Sequence, residues 1–174
     1  MTGKLPESVA YKDAAVLPIC LATAAVGLFQ KDTLALPHPK VEVEDVGKTV
    51  LIWGGASSVG SCAIQLAKAA GLKVAATAGK YNLEYVKSIG ADWAFDYRSE
   101  SNVEDVVGAL KGQGEFGGAF AAVMGREVYI KSAEICVELG GNQTLGTVLP
   151  RFMAFEEPLP GGVKITYSKF SFER

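Results

Sequence analysis

Histidine is almost absent from this sequence: His38 is the only one in 174 residues, and it stands between two prolines. A hydrolase of the Ser-His-Asp kind needs a histidine held in a pocket beside its nucleophile. Enzyme metal centres also draw heavily on histidine. We interpret the Pro-His-Pro stretch as an extended linker, which argues against both kinds of site.

Cysteine is also scarce, and its three copies, Cys20, Cys62 and Cys136, stand far apart. They show neither the paired spacing of a zinc site nor the even number of a disulfide framework. This usage is typical of a reduced, intracellular setting, so we expect a cytoplasmic location and no bound metal.

Neither sign of charge is in large excess: the sequence has 17 lysines and arginines and 19 aspartates and glutamates, for a net charge of -2. No Lys/Arg cluster stands out, which argues against a nucleic-acid partner. The apolar stretch Ala14–Phe29 is short and contains Pro18, so we predict a buried helix and no membrane partner. Lys4 and Glu7 precede that stretch, which argues against a secretory signal.

Apolar runs alternate with helical patterns of about ten residues, after an N-terminal helix and linker that occupy residues 1–47. The predicted strands are Thr49–Trp53, Leu72–Thr77, Trp93–Tyr97, Gly118–Val123, Gln143–Leu149 and Val163–Tyr167. The predicted helices are Ser8–Phe29 with either a kink or the first turn of a new helix at Pro18, Gly60–Ala70, a short helix capped by Asn82 and ended by Gly90, Val103–Leu110 and Glu127–Leu139. Such alternation indicates the α/β class, a doubly wound parallel sheet with helices on both faces, as in the Rossmann fold.

The stretch GGASSVG, residues 54–60, lies between the first predicted strand and its helix. Gly55 allows a tight turn, and Gly60 lets the helix pack closely on the strand. Ser57 is small enough for close approach and adds a hydroxyl donor. A helix N-terminus here would present N–H groups and partial positive charge to a pyrophosphate. Because serine replaces the usual second glycine, a structural turn with another ligand, or none, is the alternative.

The end of the second predicted strand indicates the type of nucleotide. An NAD-binding site places Asp or Glu about 20 residues beyond the glycine turn, to bind the ribose 2′-hydroxyl. Ala78, Gly79 and Lys80 occupy that place, with no acid. Lys80 would attract a 2′-phosphate, and Tyr81 and Asn82 could add hydrogen bonds to it. The sequence therefore favours NADPH, with a solvated surface lysine as the alternative for Lys80.

Four stretches in order resemble the medium-chain dehydrogenase/reductase superfamily, above all its zinc-independent quinone-reductase and enoyl-reductase branch. They are AAVLPICLATAAVGLF, KTVLIWGGASSVGSCAIQLAKAAG, YVKSIGADWAFDYRS and GTVLP, within a resemblance that covers most of Leu5–Tyr167. The fungal trans-acting enoyl reductases of polyketide synthesis are the most similar. The resemblance implies NADPH-dependent reduction of an activated C=C bond, in an enoyl thioester or in an enone or quinone.

The resemblance also implies roles for single residues in holding NADPH. Thr23 would approach the nicotinamide end of the cofactor. The other positions are Ser57, Ser58 and Val59 over the pyrophosphate, Tyr97 near the adenine, and the backbone around Val123–Met124 and Val148–Leu149 beside the ribose and nicotinamide. The resemblance identifies no proton donor, so the catalytic residues are unknown at this stage.

The chain departs from the superfamily pattern in length. A full member carries an N-terminal GroES-like β-barrel domain that forms one wall of the substrate cleft, and only thirteen residues precede Ala14 here. We therefore expect residues 1–174 to be the NADP(H)-binding domain of a longer enzyme, incomplete for catalysis by itself. A polyketide synthase is a candidate partner of the parent protein.

Three other readings stay open. The chain could be a non-catalytic NADP(H)-binding module. The cofactor domain of a zinc-type alcohol dehydrogenase is disfavoured, because the metal-ligand pattern is missing. A methyltransferase is disfavoured, because such folds usually place an acid where Ala78-Gly79-Lys80 stands. Val163–Tyr167 could form a sheet edge that pairs with a second copy, so we expect either a monomer or a homodimer.

Overall fold

A single parallel sheet organises the part of the chain that the computed structural model describes, residues 4–148 and 154–167. Its strands are β1 (Lys48–Trp53), β2 (Lys73–Ala78), β3 (Trp93–Asp96), β4 (Glu115–Ala121), β5 (Thr144–Thr147) and β6 (Lys164–Tyr167). They lie in the order β3-β2-β1-β4-β5-β6, with every neighbouring pair parallel. The predicted doubly wound α/β fold is confirmed.

Helices cover both faces of this sheet. In the described part they are α1 (Tyr11–Ala14), α2 (Leu17–Phe29), α3 (Ser58–Ala69), α4 (Leu83–Ser88), α5 (Asn102–Leu110) and α6 (Arg126–Leu139). Helices α2, α3 and α4 pack on one face, and α5 and α6 on the other. Strand β1 serves both cores, since Val50 and Ile52 face one and Leu51 and Trp53 face the other. A strand buried on both sides needs the continuous apolar run that the sequence carries here.

The N-terminal segment is divided into α1 and α2, with Pro18 in the first turn of α2, where its missing N–H costs nothing. This agrees with the second of the two alternatives for Pro18, but the segment is less buried than predicted. Leu17 and Ile19 are exposed, and burial begins only at Thr23. Residues 11–29 contain an 18-residue window with a mean hydropathy of 1.6, and by length and composition they could cross a membrane, contrary to our expectation. The second half of this segment packs into the core of the fold instead.

The predicted linker before β1 also contributes to the core. Leu34 and Leu36 are buried against the start of β4. A Cβ on Gly117 would lie 2.7 Å from the Leu36 side chain, and one on Gly118 would lie 2.8 Å from Leu34. The two glycines therefore make room for the linker. Strand β4 begins at Glu115, three residues before the predicted start at Gly118. Glycine is depleted in strands, so Gly117 gave no signal that would have extended the predicted strand toward Glu115.

Strand β6 lies at one edge of the sheet, as predicted. Its pairing with a second copy of the chain stays a prediction. Sedimentation velocity would test it, because a homodimer through this edge doubles the mass.

Candidate functional site

A cleft of about 350 Å³ opens at the carboxyl edge of the sheet. Its walls come from the ends of β1, β2 and β3 and from the segment after β4. The lining residues are Gly54, Ala56, Ser57, Ala78, Gly79, Tyr81, Asn82, Tyr97, Arg98 and Val123. The chain runs outward from β1 to β3 and then returns to place β4 on the other side of β1. Open α/β sheets bind their ligands at such a switch point, outside the carboxyl ends of the strands.

The glycine turn after β1 is built differently from the prediction. The residue with left-handed backbone is Gly54, whose φ is 81°, and not Gly55. Gly55 is needed for packing, because a Cβ there would lie 3.0 Å from Ile64 Cδ1 and 3.1 Å from Ala76 Cβ. The tight-turn role assigned to Gly55 was therefore wrong, and Gly54 takes it.

Thr77, a residue that sequence reasoning did not single out, ties this turn to the end of β2. The N–H of Gly54 donates to Thr77 Oγ1 at 3.2 Å, and the N–H of Gly55 donates to the Thr77 carbonyl at 2.8 Å. Thr77 is fully buried. Its two acceptors fix the turn, and Thr77 itself does not line the cleft.

Ser57 is the N-cap of α3, and this uses its hydroxyl. The oxygen accepts the Gly60 N–H at 3.1 Å, and the hydroxyl donates to the Ala122 carbonyl at 3.4 Å. Its single proton is thus engaged, whereas the sequence interpretation made it a donor to a ligand. The N–H groups of Ser58 and Val59, in the first turn of α3, have no partner among the described residues. These two N–H groups are the donors that the helix N-terminus offers.

Gly60 brings α3 against the glycine turn, as the sequence predicted. A Cβ on Gly60 would overlap the Gly54 carbonyl oxygen and lie 2.9 Å from Gly55 Cα. Only glycine therefore allows the first turn of the helix to approach this closely.

The end of β2 forms the second wall of the cleft. Ala78 is buried, and a Cβ on Gly79 would lie 3.8 Å from the Tyr97 ring. Tyr81 and Asn82 line the cleft, and Tyr81 is 97% exposed. Lys80 is exposed and is not among the lining residues. The structure thus brings four of the five residues predicted at 78–82 to the cleft and leaves out the lysine.

Asn82 stands at the N-cap position of α4, but its side chain makes no capping hydrogen bond. Its backbone N–H instead donates to the Gly79 carbonyl at 2.7 Å, within a 3₁₀ turn over Lys80–Asn82. The predicted side-chain cap was wrong, because the preceding 3₁₀ turn leads directly into the helix.

Arg98 is a lining residue that the sequence interpretation missed. It follows Tyr97 directly, and its guanidinium carbon lies 5.2 Å from the centroid of the Tyr97 ring. The available signal was the position of Arg98 directly after the predicted strand Trp93–Tyr97, where parallel strands place functional side chains.

The remaining predicted positions lie around or outside this cleft. Thr23 is buried on α2, where its hydroxyl donates to the Ile19 carbonyl at 2.7 Å, and it does not line the cleft. Val123 lines the cleft beside Gly54, and Val148 follows β5, with its N–H donating to the Ala121 carbonyl. Leu149 lies outside the described residues. The roles of these positions in binding stay predictions.

Two cysteines, Cys62 and Cys136, do not have the environment of reactive thiols. Burial raises the pKa of the Cys136 thiol to about 12. The pKa of the Cys62 thiol is also raised, by burial first and then by the nearby Cys20. Nucleophilic cysteines have depressed pKa values, so neither group fits that chemistry.

Comparison with known proteins agrees with the geometry. The family described as "Zinc-binding dehydrogenase" matches residues 58–148, from the start of α3 to the end of β5 and one residue beyond. The chain belongs to this family, within the medium-chain dehydrogenase/reductase superfamily. Among the described residues of this dehydrogenase-family chain, no three His, Cys, Asp or Glu side chains come together as metal ligands. The described part thus offers no ligand set that fits zinc.

This chain is similar to dehydrogenases and reductases from fungi. It is 42% identical over 163 residues to Dehydrogenase orf1 of Aspergillus niger, across 94% of this chain and 46% of that protein. It is 36% identical over 167 residues to Trans-enoyl reductase himH of Aspergillus japonicus, across 96% of this chain and 46% of that protein. The chain thus spans about half the length of the curated relatives it matches.

The fold is shared with a solved reductase. Escherichia coli quinone oxidoreductase, crystallised in complex with NADPH, superposes with a TM-score of 0.65 at 23% identity, over 83% of this chain and 40% of that one. At this level of identity the likeness shows the fold alone.

Proposed function

We propose that this chain binds NADP(H) in the cleft at the carboxyl edge of the sheet, as the cofactor-binding domain of an oxidoreductase. The observation that carries the proposal is the cradle formed by the turn after β1 and the first turn of α3. Gly54, Thr77 and Gly60 hold this turn close to the helix, while the N–H groups of Ser58 and Val59 have no partner among the described residues. Two such amides at a helix N-terminus suit a pyrophosphate.

The cleft can be divided according to the parts of this cofactor. The pyrophosphate would lie on the amides of Ser58 and Val59, and the adenosine ribose beside Gly79. The adenine would lie toward Tyr97, and the nicotinamide half toward Val123. A nicotinamide cofactor supplies the hydride of the reaction, while the protein orients it and excludes competing chemistry. Among the described residues, the lining of the cleft includes Tyr81 and Tyr97 but no Asp, Glu, His or Lys. We assign no residue as the proton donor.

We further propose that the parent protein reduces an activated C=C bond, in an enoyl thioester or an enone. The relatives named as trans-enoyl reductases, such as himH, support this substrate class. Because the chain spans about half of such relatives, the substrate wall would come from the remainder of the parent protein, for which a GroES-like domain is our proposal. A polyketide synthase as partner is proposed on the same grounds.

Titration calorimetry of the purified chain with NADPH and then NADH, at low salt, tests the binding proposal. We expect NADPH to bind at least about tenfold more tightly, a difference of about 1.4 kcal/mol. If neither nucleotide binds, the proposed site is wrong. If NADH binds as tightly as NADPH, nucleotide binding by the chain is supported but the assignment to NADP(H) is wrong.

An enone reduction assay separates the enzyme from the non-catalytic module. Loss of NADPH absorbance with a small enone, dependent on the parent protein, supports a reductase. Binding of NADPH with no reduction of any enone or enoyl thioester would favour the non-catalytic module.

A further inference from the structure

We propose that Arg98 is the side chain that selects a nucleotide carrying a 2′-phosphate, and that Lys80 has no part in that selection. This inference rests on the proposed binding of NADP(H) and names the residue that sets its specificity. The sequence alone favours Lys80, because it stands where an NAD-binding site has its acid. The structure favours Arg98, for three reasons that concern its position, its geometry and its charge.

The position follows from the pairing of β2 with β3. Ala78 pairs with Asp96 at the carboxyl ends of the two strands, and the Tyr97 N–H then donates to the Ala78 carbonyl at 3.2 Å. The Tyr97 ring lies beside Gly79, 3.8 Å from the place of an added Cβ. The residue after Tyr97 therefore reaches the end of β2, although it is 18 positions beyond Lys80 in the chain. The ribose 2′-position of a dinucleotide lies at the end of the second strand in this fold.

The geometry of Arg98 suits an anion in the cleft. Its guanidinium carbon is 5.2 Å from the centroid of the Tyr97 ring, a cation–π distance that orients the side chain. Its backbone is held as well, because the Arg98 N–H donates to Asp96 Oδ1 at 3.0 Å. A planar guanidinium offers paired N–H donors that match phosphate oxygens, whereas a lysine offers only a point charge.

The charge of Arg98 is also free of any ion pair among the described residues. No ion pair there includes its guanidinium, and no acid lines the cleft. Lys131, another cation that could bind a phosphate, lies in a neighbouring cleft that shares Tyr97 and Arg98, but its ammonium group pairs with Glu127 at 2.7 Å. Lys80 does not line either cleft. Arg98 is therefore the cation best placed to meet a phosphate.

The test measures binding of adenosine 2′,5′-bisphosphate and of 5′-AMP, two probes that differ only in the 2′-phosphate. Titration calorimetry is run on the wild-type chain, Arg98→Ala, Arg98→Lys and the matched control Lys80→Ala, each checked for an unchanged melting temperature. We expect the wild type to prefer the bisphosphate by about tenfold or more, as a charge-assisted phosphate contact should give. Arg98→Ala should lose that preference while keeping its affinity for 5′-AMP, and Lys80→Ala should keep both. Arg98→Lys should retain part of the preference.

Three results would overturn the inference. The preference could survive in Arg98→Ala and disappear in Lys80→Ala. Arg98→Ala could weaken the binding of both probes equally, which would mean that the arginine contacts the part that the two probes share, such as the adenine. The wild type could bind both probes equally well, so that no 2′-phosphate selection exists. If the wild type binds neither probe nor NADPH, the proposed function itself fails, and this outcome is distinct from the other three.

Discussion

Gly60→Ala should damage both the stability of the fold and its affinity for NADPH. The added methyl group would overlap the Gly54 carbonyl oxygen and approach Gly55 Cα to 2.9 Å. Both neighbours are backbone atoms of the glycine turn, and Thr77 holds that turn through two hydrogen bonds. Neither side can give way cheaply, so the turn and the helix must move apart.

The magnitude follows from two opposing effects. Alanine in a helix is more favourable than glycine by about 1 kcal/mol. Overpacking a rigid site costs about 1–3 kcal/mol, and we take the upper end because the contact is with backbone. The net loss is then about 2 kcal/mol, which lowers the melting temperature of a chain of this size by about 4–8 °C.

Gly108→Ala is the matched control, since Gly108 lies in α5 and a Cβ there would meet nothing within 4 Å. This variant should gain about 1 kcal/mol from helix propensity and bind NADPH like the wild type. Calorimetric melting and NADPH titration of both variants provide the assay. If Gly60→Ala melts and binds like the wild type, the close approach of α3 to the glycine turn is not what shapes the site.

Three further predictions concern buried groups. Thr77→Val, which keeps the shape of the side chain but removes the hydroxyl acceptor, should lower the stability by about 1–3 kcal/mol. It should also weaken NADPH binding several-fold in calorimetry, whereas Thr77→Ser should keep both the stability and the affinity for NADPH. Gly27→Ala should destabilise the fold by about 1–3 kcal/mol in urea denaturation, because the methyl group would overlap the buried Phe120 ring. The pKa of Cys136 is raised from 9.0 to about 12 by burial, so its contribution to stability is complete below pH 9 and is lost between pH 9 and 12. Over that range the free energy of unfolding should fall up to about 1.4 kcal/mol per pH unit more steeply in the wild type than in Cys136→Ala, and equal slopes would contradict this.

The cleft at the glycine turn could be predicted from the sequence because its signals are local. The apolar run of β1, the glycine turn and the pattern of α3 follow one another directly, and each has a physical reason to do so. The close helix packing at Gly60 and the absence of an acid at 78–80 could also be recognised from the local sequence. The order of strands and helices followed from the spacing of their apolar residues.

The roles of adjacent glycines were not predictable, because φ at Gly54 and crowding at Gly55 depend on what packs around them. The contact of the Ser57 hydroxyl with the Ala122 carbonyl could not be predicted for a similar reason, since the two residues are 65 positions apart. Arg98 was missed because strand adjacency in the sheet, not spacing along the chain, brings it to the end of β2. The exposure of Leu17 reflects the same limit, since its apolar character does not say whether another surface covers it.

The most direct test of the central claim is to locate NADPH on the chain by amide chemical-shift changes in ¹⁵N-labelled protein, which at 18.3 kDa is accessible to NMR. We predict the largest changes at residues 54–60, 78–82 and 97–98, at the carboxyl edge of the sheet. The cleft at the opposite edge, lined by Ala35, Leu36 and Asn142, serves as the internal control and should be unaffected. Changes centred on that opposite edge, or no changes at saturating NADPH, would contradict the assignment of the glycine turn as the cofactor site.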